Sequence, residues 1–391
     1  MKVKKSWLLM FVISSLILMN YSFPFSSNIR LACVCFFALF MMVTQFSKYL
    51  KKANIYVLFC VLFCIWSTLS YIWASSAEGV SDQLTNMYLA LMTNISMALY
   101  IVRKQEDIND IYSWFLPVMT LYLVQSLLIG TWDADMRFST VSTHANQFGI
   151  CTSYMYLISL YVLKTHKRTS IISKIVPILA LGLTIVTGSR KALINLVLFT
   201  CMVFWFEKYN KNFSKTIAKL MAIFAVAALA LILILNVDAL YQIIGNRIVT
   251  LFAYFNGDVE QDLSALRRTY MKQDAIALFL EHPLTGVGLN NFKYVTRYGT
   301  YAHSNYYELL CCLGLVGTLL YYIPILTVFV KAFLHWKKNL PDAVIPFAIL
   351  LALIINDFSN ISYMYRIIHI FVGIAAGMVL VNDKKVRELR I

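Results

Sequence analysis

A series of apolar runs constrains this chain of 391 residues more than any other feature. A helix needs about 20 apolar residues to cross the hydrocarbon core of a bilayer, and only 14% of the residues are charged, whereas about a quarter are charged in soluble domains. The sequence therefore predicts an all-α polytopic membrane protein, a single integral membrane domain over 1–391. About twelve transmembrane helices are expected, near residues 7–25, 29–47, 55–73, 84–102, 111–129, 147–163, 171–187, 192–206, 216–236, 314–331, 342–356 and 364–381.

Most basic residues of the chain lie in clusters at the ends of these apolar runs. The chain has 34 lysines and arginines against 19 acidic residues, a net charge of +15. Such an excess also occurs in nucleic-acid-binding proteins, but basic clusters at the ends of apolar runs encode membrane orientation. With the N-terminus in the cytoplasm, 23 basic residues fall inside and 11 outside, where they face 12 acidic residues. We therefore predict that both termini are cytoplasmic and that nucleic acid is no partner.

One outer segment, residues 237–303, is far longer than the other connections. Loops of this length are usually functional or contain structure of their own. Within it, Asp262–Glu281 has a helical composition and an acidic start, with Pro283 just past its end, which are signals of a helix with defined ends. The sequence predicts one large extracytoplasmic loop that holds a helix at the membrane surface.

His303 stands at the end of this loop, just before an apolar helix. Asn305 and Glu308 have the spacing of an N-terminal cap, in which both side chains satisfy free backbone N–H groups. The positive end of the helix dipole favours a neutral imidazole, so His303 is a candidate general base. The alternative is an isolated histidine without a catalytic role.

Arg190 is one of the outer basic residues that topology does not explain. It lies in a tight hairpin between two predicted spans, where a phosphate ligand would account for it, because the guanidinium fork can hold two oxygens at once. Alternatively, an arginine there can extend to the lipid headgroups. Arg137 and Asn146, which flank a short loop before the sixth span, are weaker candidates of the same kind.

Arg267 and Arg268 lie on the predicted surface helix. They are about 100° apart around its axis, so only one of them faces any given cavity. Arg268 shares its face with Lys272, one turn further on. The alternative is a solvated helix face, since the 237–303 segment balances six basic against six acidic residues.

The sequence predicts no metal or cofactor site. The eight cysteines lie in or beside apolar runs and are expected to be free core thiols. Gly286-Val-Gly288 lacks the third glycine and the strand–helix context of a dinucleotide loop, so we expect a turn there. Asp133-Ala-Asp135 has the spacing of a metal-binding acidic pair and stays a minor alternative, because it has neither a third carboxylate nor a nearby histidine.

Taken in order, these residues resemble the O-antigen ligase and polymerase superfamily of bacterial surface-polysaccharide assembly. The resemblance extends over residues 137–320. It is carried by Thr187-Gly-Ser-Arg190, by Arg268 followed by residues 282–292, and by His303-Ser-Asn305-Tyr306-Tyr-Glu308 with Gly314-Leu-Val-Gly317.

The resemblance implies a GT-C-type, metal-independent glycosyltransferase without a cofactor, at the outer face of the bacterial inner membrane. The donor would be an undecaprenyl-pyrophosphate-linked oligosaccharide. Arg190 and Arg268 would hold its pyrophosphate, and His303 would deprotonate the acceptor hydroxyl. Membrane lipid, a chain-length regulator and a flippase are the expected partners. Secondary site candidates are Arg267, Arg137, Asn146, Lys272, Asn305, Tyr306 and Glu308.

Within the superfamily, the pattern favours a Wzy-type polymerase, which passes the growing chain to the next lipid-linked repeat unit. A ligase of the WaaL type, which passes the glycan to lipid A-core, stays open. A flippase for lipid-linked oligosaccharides is the alternative from another class. It would predict charged residues along the spans and paired discontinuous helices, whereas the predicted spans carry little charge.

Overall fold

The fold is taken from a computed structural model. The two predicted spans at 7–25 and 29–47 lie outside the residues that the structure describes. The described residues are 54–104, 108–133, 136–140, 143–165, 171–205, 213–246, 248–249, 263–340 and 342–388.

Helices make up nearly all of this structure, and each of the ten predicted runs within the described residues coincides with one. The helix predicted in the long outer segment is also present, as α8 (Leu263–Glu281). A short hairpin joins α3 (Ile108–Ile129) to α4 (Ala145–Thr165), with β1 (Thr131–Trp132) paired antiparallel to β2 (Phe138–Ser139). The helices are α1 (Asn54–Leu69), α2 (Ala77–Lys104), α3 (Ile108–Ile129), α4 (Ala145–Thr165), α5 (Ile171–Val186), α6 (Arg190–Trp205), α7 (Phe213–Asn236), α8 (Leu263–Glu281), α9 (Phe292–Val295), α10 (Asn305–Lys337), α11 (Val344–Asn356) and α12 (Arg366–Glu388).

Four helical stretches among the described residues are long and apolar enough to cross a bilayer. Three further helices contain apolar segments of shorter length. The chain is therefore a helical membrane protein, and the total of twelve spans stays a prediction. The four stretches are Ile55–Ile72, Ala77–Val102, Asn305–Lys337 and Arg366–Asp383.

The chain folds as two compact units. The first contains the described residues between 108 and 249 together with 336–348. Its central helix is α4, which is buried along most of its length and packs against α3, α5 and α6. Hydroxyl groups pair inside this unit, as between Thr152 and Thr184 (2.8 Å) and between Tyr156 and Thr200 (2.9 Å). Such pairs join apolar helices where neighbouring lipid supplies no hydrogen bonds.

The second unit contains residues 54–104, 263–335 and 349–388 of the described chain. Helices α2 and α12 pack closely along each other because Gly373 and Gly377 remove side chains from their contact. A Cβ atom on Gly373 would lie 2.5 Å from the Asn94 carbonyl oxygen, and one on Gly377 would lie 2.7 Å from Ile101 Cβ. Two glycines four residues apart are a common means of close helix packing in membranes.

Helix α10 is interrupted at Gly314, where φ is 65° and ψ is −170°. Residues 283–288 fill the interruption and form backbone hydrogen bonds with both halves of the helix. Backbone groups inside a membrane protein must find partners within the protein, and the inserted loop provides them. Its bonds run from the N–H groups of Val287 to Cys311 O (2.9 Å), of Gly288 to Cys312 O (2.8 Å) and of Leu315 to Pro283 O (2.8 Å).

The inserted loop and the helix meet at two glycines. A Cβ atom on Gly314 would lie 2.3 Å from the carbonyl carbon of Leu284, and one on Gly286 would lie 2.4 Å from the carbonyl carbon of Cys312. Both glycines also have positive φ, a conformation that other residues adopt at a cost. The turn expected at Gly286-Val-Gly288 is thus confirmed, and its glycines permit backbone-to-backbone contact.

The same loop continues to the connection between α1 and α2. The Asn290 amide donates to Gly79 O (3.0 Å). The Asn291 side chain donates to Ser76 O (3.1 Å) and accepts the Ser76 N–H (2.6 Å). Both asparagines are buried, so the loop ties the start of α2 to the broken helix.

We predict that Gly314→Ala destabilises the protein strongly, because its methyl group would displace the inserted loop. The matched control is Gly299→Ala, since Gly299 has a similar φ of 63° but no atom within 4 Å of its Cβ position. The midpoint temperature of thermal unfolding in detergent should fall by about 2–4 °C for Gly299→Ala, because of backbone strain alone. It should fall by roughly 6–12 °C for Gly314→Ala. Equal losses for the two variants would show that the close approach is unimportant.

Candidate functional site

His303 lies in the turn before α10 and has a left-handed backbone, with φ of 55°. Such a conformation costs of order 1–3 kcal/mol for a residue other than glycine and persists only where the surroundings enforce it. The histidine side chain is half-buried, between the buried residues Ala302 and Ser304. The neighbours on both sides of His303 are held by hydrogen bonds from separate parts of the second unit.

Glu308 holds the residue before His303. Its Oε2 accepts the Ala302 N–H at 2.7 Å, and its Oε1 lies 3.5 Å from Cys312 Sγ, a thiol donor. The carboxyl group is buried, with a relative exposure of 1% for the residue. Glu308 therefore bonds to the backbone N–H of Ala302, before the helix, and not to the Asn305 N–H that the capping pattern predicts. The Asn305 N–H donates to Asp357 O and Asn360 O instead.

Ser304 holds the residue after His303. Its carbonyl oxygen accepts the Glu308 N–H (2.9 Å), which makes Ser304 the residue that precedes the helix. Its hydroxyl donates to Asp357 O (3.0 Å). The chain on both sides of the histidine is thus fixed by bonds to α10 and to the segment after α11.

Asn305 was predicted to cap α10, and this prediction is wrong. Asn305 is already the first residue of the helix. Its side-chain oxygen accepts the N–H groups of Ser362 (2.9 Å) and Tyr363 (3.1 Å), and its amide donates to the Tyr322 hydroxyl (2.8 Å). The segment between α11 and α12 therefore takes the bonds that a cap would have made.

Asp357 is the centre of a buried polar cluster below this turn. Its Oδ2 accepts hydrogen bonds from the hydroxyls of Tyr322 (2.7 Å) and Ser362 (3.0 Å). Tyr306 borders the cluster, since its ring stacks on that of Tyr322 at 4.8 Å and its hydroxyl donates to Ile354 O (2.9 Å). The start of α10 is consequently anchored to the 357–363 segment by side chains and backbone together.

Tyr301 packs directly on His303, with ring centroids 4.5 Å apart and planes inclined by 54°. Burial raises the pKa of the Tyr301 hydroxyl, while a hydrogen bond with Tyr365 and the positive charge of Arg268 act in the opposite direction. Tyr301 thus contacts the imidazole of His303, and its hydroxyl is under the electrostatic influence of Arg268.

Arg267 and Arg268 have different surroundings. Arg267 is exposed, and its guanidinium donates to Tyr298 O (3.3 Å). Lys272 is half-buried, and burial and the charge of Arg268 lower its pKa. The Lys272 ammonium lies 5.7 Å from the ring centre of Tyr307, in the first turn of α10. Lys272 thus lies beside the first turn of α10, whereas Arg267 lies at Tyr298.

Arg190 belongs to the first unit, where it is the first residue of α6 and is half-buried. The turn before it is closed by the Thr187 hydroxyl, which accepts the Ser189 N–H (3.2 Å). Gly149 of α4 lies against the turn, since a Cβ atom there would be 2.6 Å from the Thr187 hydroxyl. Arg190 therefore directly follows a turn that packs against the buried helix α4.

Arg137 and Asn146 come together beside the same turn. Arg137 donates from Nη2 to the Asn146 side-chain oxygen (2.6 Å) and from Nε to Thr187 O (3.0 Å). Its relative exposure is only 5%. Asp133 closes the hairpin by accepting the Arg137 N–H (2.9 Å), and Asp135 lies outside the described residues. These contacts support the turn that carries Arg190.

One group of potential metal ligands occurs among the described residues, namely Glu308, Cys311 and Cys312. Hydrogen bonds account for its compactness. Both Glu308 oxygens accept donors, and the Cys311 thiol lies 3.4 Å from Glu308 O, an acceptor in the same helix. The six cysteines within the described residues are free.

Sequence reasoning missed three residues of the second unit, namely Tyr301, Tyr365 and Asp357. Tyr301 had a usable signal, because it stands two residues before the candidate base. Asp357 also had one, since an acidic residue at the end of an apolar run needs a partner inside the protein. The contact of Tyr365 with Tyr301 depends on residues 64 positions apart and has no local pattern.

A family model described as O-antigen ligase matches residues 155–322. The matched region begins within α4 and ends within α10, so it includes Arg190, Arg268 and His303. No curated protein is similar enough to this chain to count as a match.

We predict that Glu308→Ala loosens the turn at His303, whereas Glu308→Gln preserves it. Glutamine retains an oxygen that can accept the Ala302 N–H, but alanine leaves this buried donor without a partner, at a cost of about 1–3 kcal/mol. Amide hydrogen exchange of peptides that contain Ala302 should become roughly tenfold faster in Glu308→Ala. Unchanged exchange in that variant would rule out a holding role for the carboxylate.

Proposed function

We propose that this protein is a polysaccharide polymerase of the O-antigen ligase and polymerase superfamily, whose family model matches residues 155–322. It would transfer a growing glycan from undecaprenyl pyrophosphate to the next lipid-linked repeat unit, at the outer face of the bacterial inner membrane. Both termini would then be cytoplasmic, and a flippase and a chain-length regulator would be its partners. We propose that its fold is of the GT-C type, with one large extracytoplasmic loop.

The observation that carries this proposal is the imidazole of His303, which packs on Tyr301 in a hydrogen-bonded turn, with the positive charge of Arg268 acting on the same tyrosine. His303 packs on the tyrosine ring, and the charge of Arg268 reaches the tyrosine hydroxyl. Glycosyl transfer from a pyrophosphate needs these two functions side by side. A base must remove the acceptor proton, and a fixed positive charge must stabilise the departing phosphate.

In the proposed reaction, the acceptor hydroxyl gives its proton to His303 as its oxygen bonds to the anomeric carbon of the donor. The bond from that carbon to the phosphate oxygen breaks, and the electron pair leaves with the pyrophosphate. Arg268 stabilises the negative charge on this leaving group, and Arg190 is the second proposed ligand. Guanidinium groups keep their charge at any physiological pH, so we propose a mechanism that does not depend on a metal ion.

A ligase that uses lipid A-core as the acceptor would need the same base and the same leaving-group contacts. Residues 155–322 match a family described by that activity, so the acceptor is the property to test.

A flippase is the candidate from another class, and the interruption of α10 at Gly314 is a feature typical of transporters. In transporters, however, the polar groups at such an interruption bind the substrate or ion. Here the inserted loop 283–288 takes up backbone groups on both sides of Gly314. The interruption therefore supports packing within the second unit, and the site at His303 favours an enzyme.

We predict that the purified protein in lipid vesicles elongates undecaprenyl-pyrophosphate-linked repeat units into a ladder of glycans, without added divalent metal. His303→Ala should slow elongation by about 10²–10⁴-fold, the usual contribution of a general base. His282→Ala is the matched control, because His282 is an exposed histidine of the same outer segment. Elongation is measured by gel separation of the labelled products.

If glycan transfer occurs only when lipid A-core is supplied as the acceptor, the protein is a ligase and not a polymerase. Near-normal elongation by His303→Ala, with membrane insertion intact, would remove His303 as the base. Movement of unaltered lipid-linked substrate across the bilayer, without elongation, would favour the flippase.

We predict a second contrast between neighbouring arginines of α8. Arg268→Ala should slow donor use by about 10²–10³-fold, the usual effect of losing one hydrogen-bond donor that stabilises negative charge developing in a transition state. Arg267→Ala should change the rate by less than about fivefold, because its contacts are exposed. Initial rates at varied donor concentration compare the two variants. Equal effects would show that a general loss of positive charge is responsible.

A further inference from the structure

Tyr301 has the closest described ring contact with the His303 imidazole. Their ring centroids are 4.5 Å apart, within the distance of about 6 Å at which an aromatic face attracts a cation. His303 would become a cation each time it accepted a proton from the acceptor. The electron-rich face of Tyr301 is therefore suited to the protonated form of the base.

The opposite end of Tyr301 is held in place. Its hydroxyl hydrogen-bonds with Tyr365, just before α12, and feels the charge of Arg268 on α8. Tyr301 is half-buried, as is Tyr365. Tyr301 is thus held at its hydroxyl end and contacts His303 with its ring, at 4.5 Å between centroids and 54° between planes, which favours a single orientation of the imidazole.

We propose that Tyr301 is a positioning residue of this site, whose ring orients the His303 imidazole and stabilises its protonated form. The inference rests on the proposed function, because it assigns Tyr301 to the base of that reaction. It adds the residue that would make proton transfer to His303 favourable beside a fixed positive charge.

Charged groups on the elements around His303 have opposite effects on a protonated imidazole. Arg268 and Lys272 on α8 disfavour a second cation nearby, since like charges repel. The carboxyl groups of Glu308 and Asp357 favour one, but both are buried and hydrogen-bonded to other groups. The ring of Tyr301 is in direct contact with the imidazole and carries no charge of its own. The charged and titratable groups on the elements around this turn include Arg268 and Lys272 on α8, Glu308 on α10, Asp357 after α11 and Tyr365 before α12.

The inference is tested by the pH dependence of elongation. In Tyr301→Leu, loss of the aromatic face should move the acidic limb of the rate profile to lower pH by roughly 0.5 unit, because protonated His303 is then less stable. Tyr301→Phe keeps the ring and should keep the limb. Tyr298→Leu is a matched control, since the Tyr298 ring stacks on Phe292 and its hydroxyl donates to Asp274 (2.7 Å).

A second comparison keeps the shape of the side chain. Pentafluorophenylalanine at position 301 has the outline of phenylalanine but an electron-poor face, which repels a cation. It should move the acidic limb to lower pH than Tyr301→Phe does. A structural role alone would give the same limb for both side chains, and this result would overturn the inference even if Tyr301→Leu fails to fold.

A measurement without turnover separates this inference from the proposed function. Diethyl pyrocarbonate reacts with neutral imidazole, so mass spectrometry of modified His303 against pH gives the midpoint of its protonation directly. If Tyr301→Leu lowers that midpoint but the wild type makes no glycan, the inference stands and the proposed function fails. If the wild type makes glycan and neither the midpoint nor the limb shifts in the variants, Tyr301 has no such role.

Discussion

The insertion of residues 283–288 into the interruption of α10 is the constraint on which the second unit depends. An apolar helix that stops at Gly314 would leave backbone groups without partners, at several kilocalories per mole for each group in a membrane. The inserted loop supplies these partners and continues through Asn290 and Asn291 to the start of α2. The first half of α10, which begins just after His303, is consequently fixed at both of its ends.

This arrangement explains how a strained histidine can persist. His303 has φ of 55°, and the energy of that conformation must be offset nearby. The Ala302 N–H bonds to a buried carboxylate, the Ser304 hydroxyl bonds to Asp357 O, and the Asn305 N–H bonds to Asp357 O at 2.9 Å. Each of these bonds is buried, so a change at His303 would disturb several at once. Strain of this kind is concentrated at functional sites.

The features that depend on a local sequence pattern were predicted well from the sequence. The helices followed the apolar runs, and α8 was expected within one residue of its bounds. Contacts between distant residues were not predictable. Asn305 bonds to residues 57 and 58 positions away, and Arg137 to a carbonyl group 50 positions away. The pattern Gly314-Leu-Val-Gly317 is typical of helix packing, yet the conformation of Gly314 interrupts the helix.

Burial distinguishes the titratable groups at the start of α10. Glu308 and Asp357 have relative exposures of 1% and 0%, and each accepts bonds that hold the fold. Protonating either carboxyl group by abstraction from a substrate would weaken those bonds and would require the substrate to enter the interior. The imidazole of His303 is half-buried and packs on the ring of Tyr301. Among these three groups, proton transfer therefore costs the fold least at His303, which is the physical reason to assign the base to the histidine.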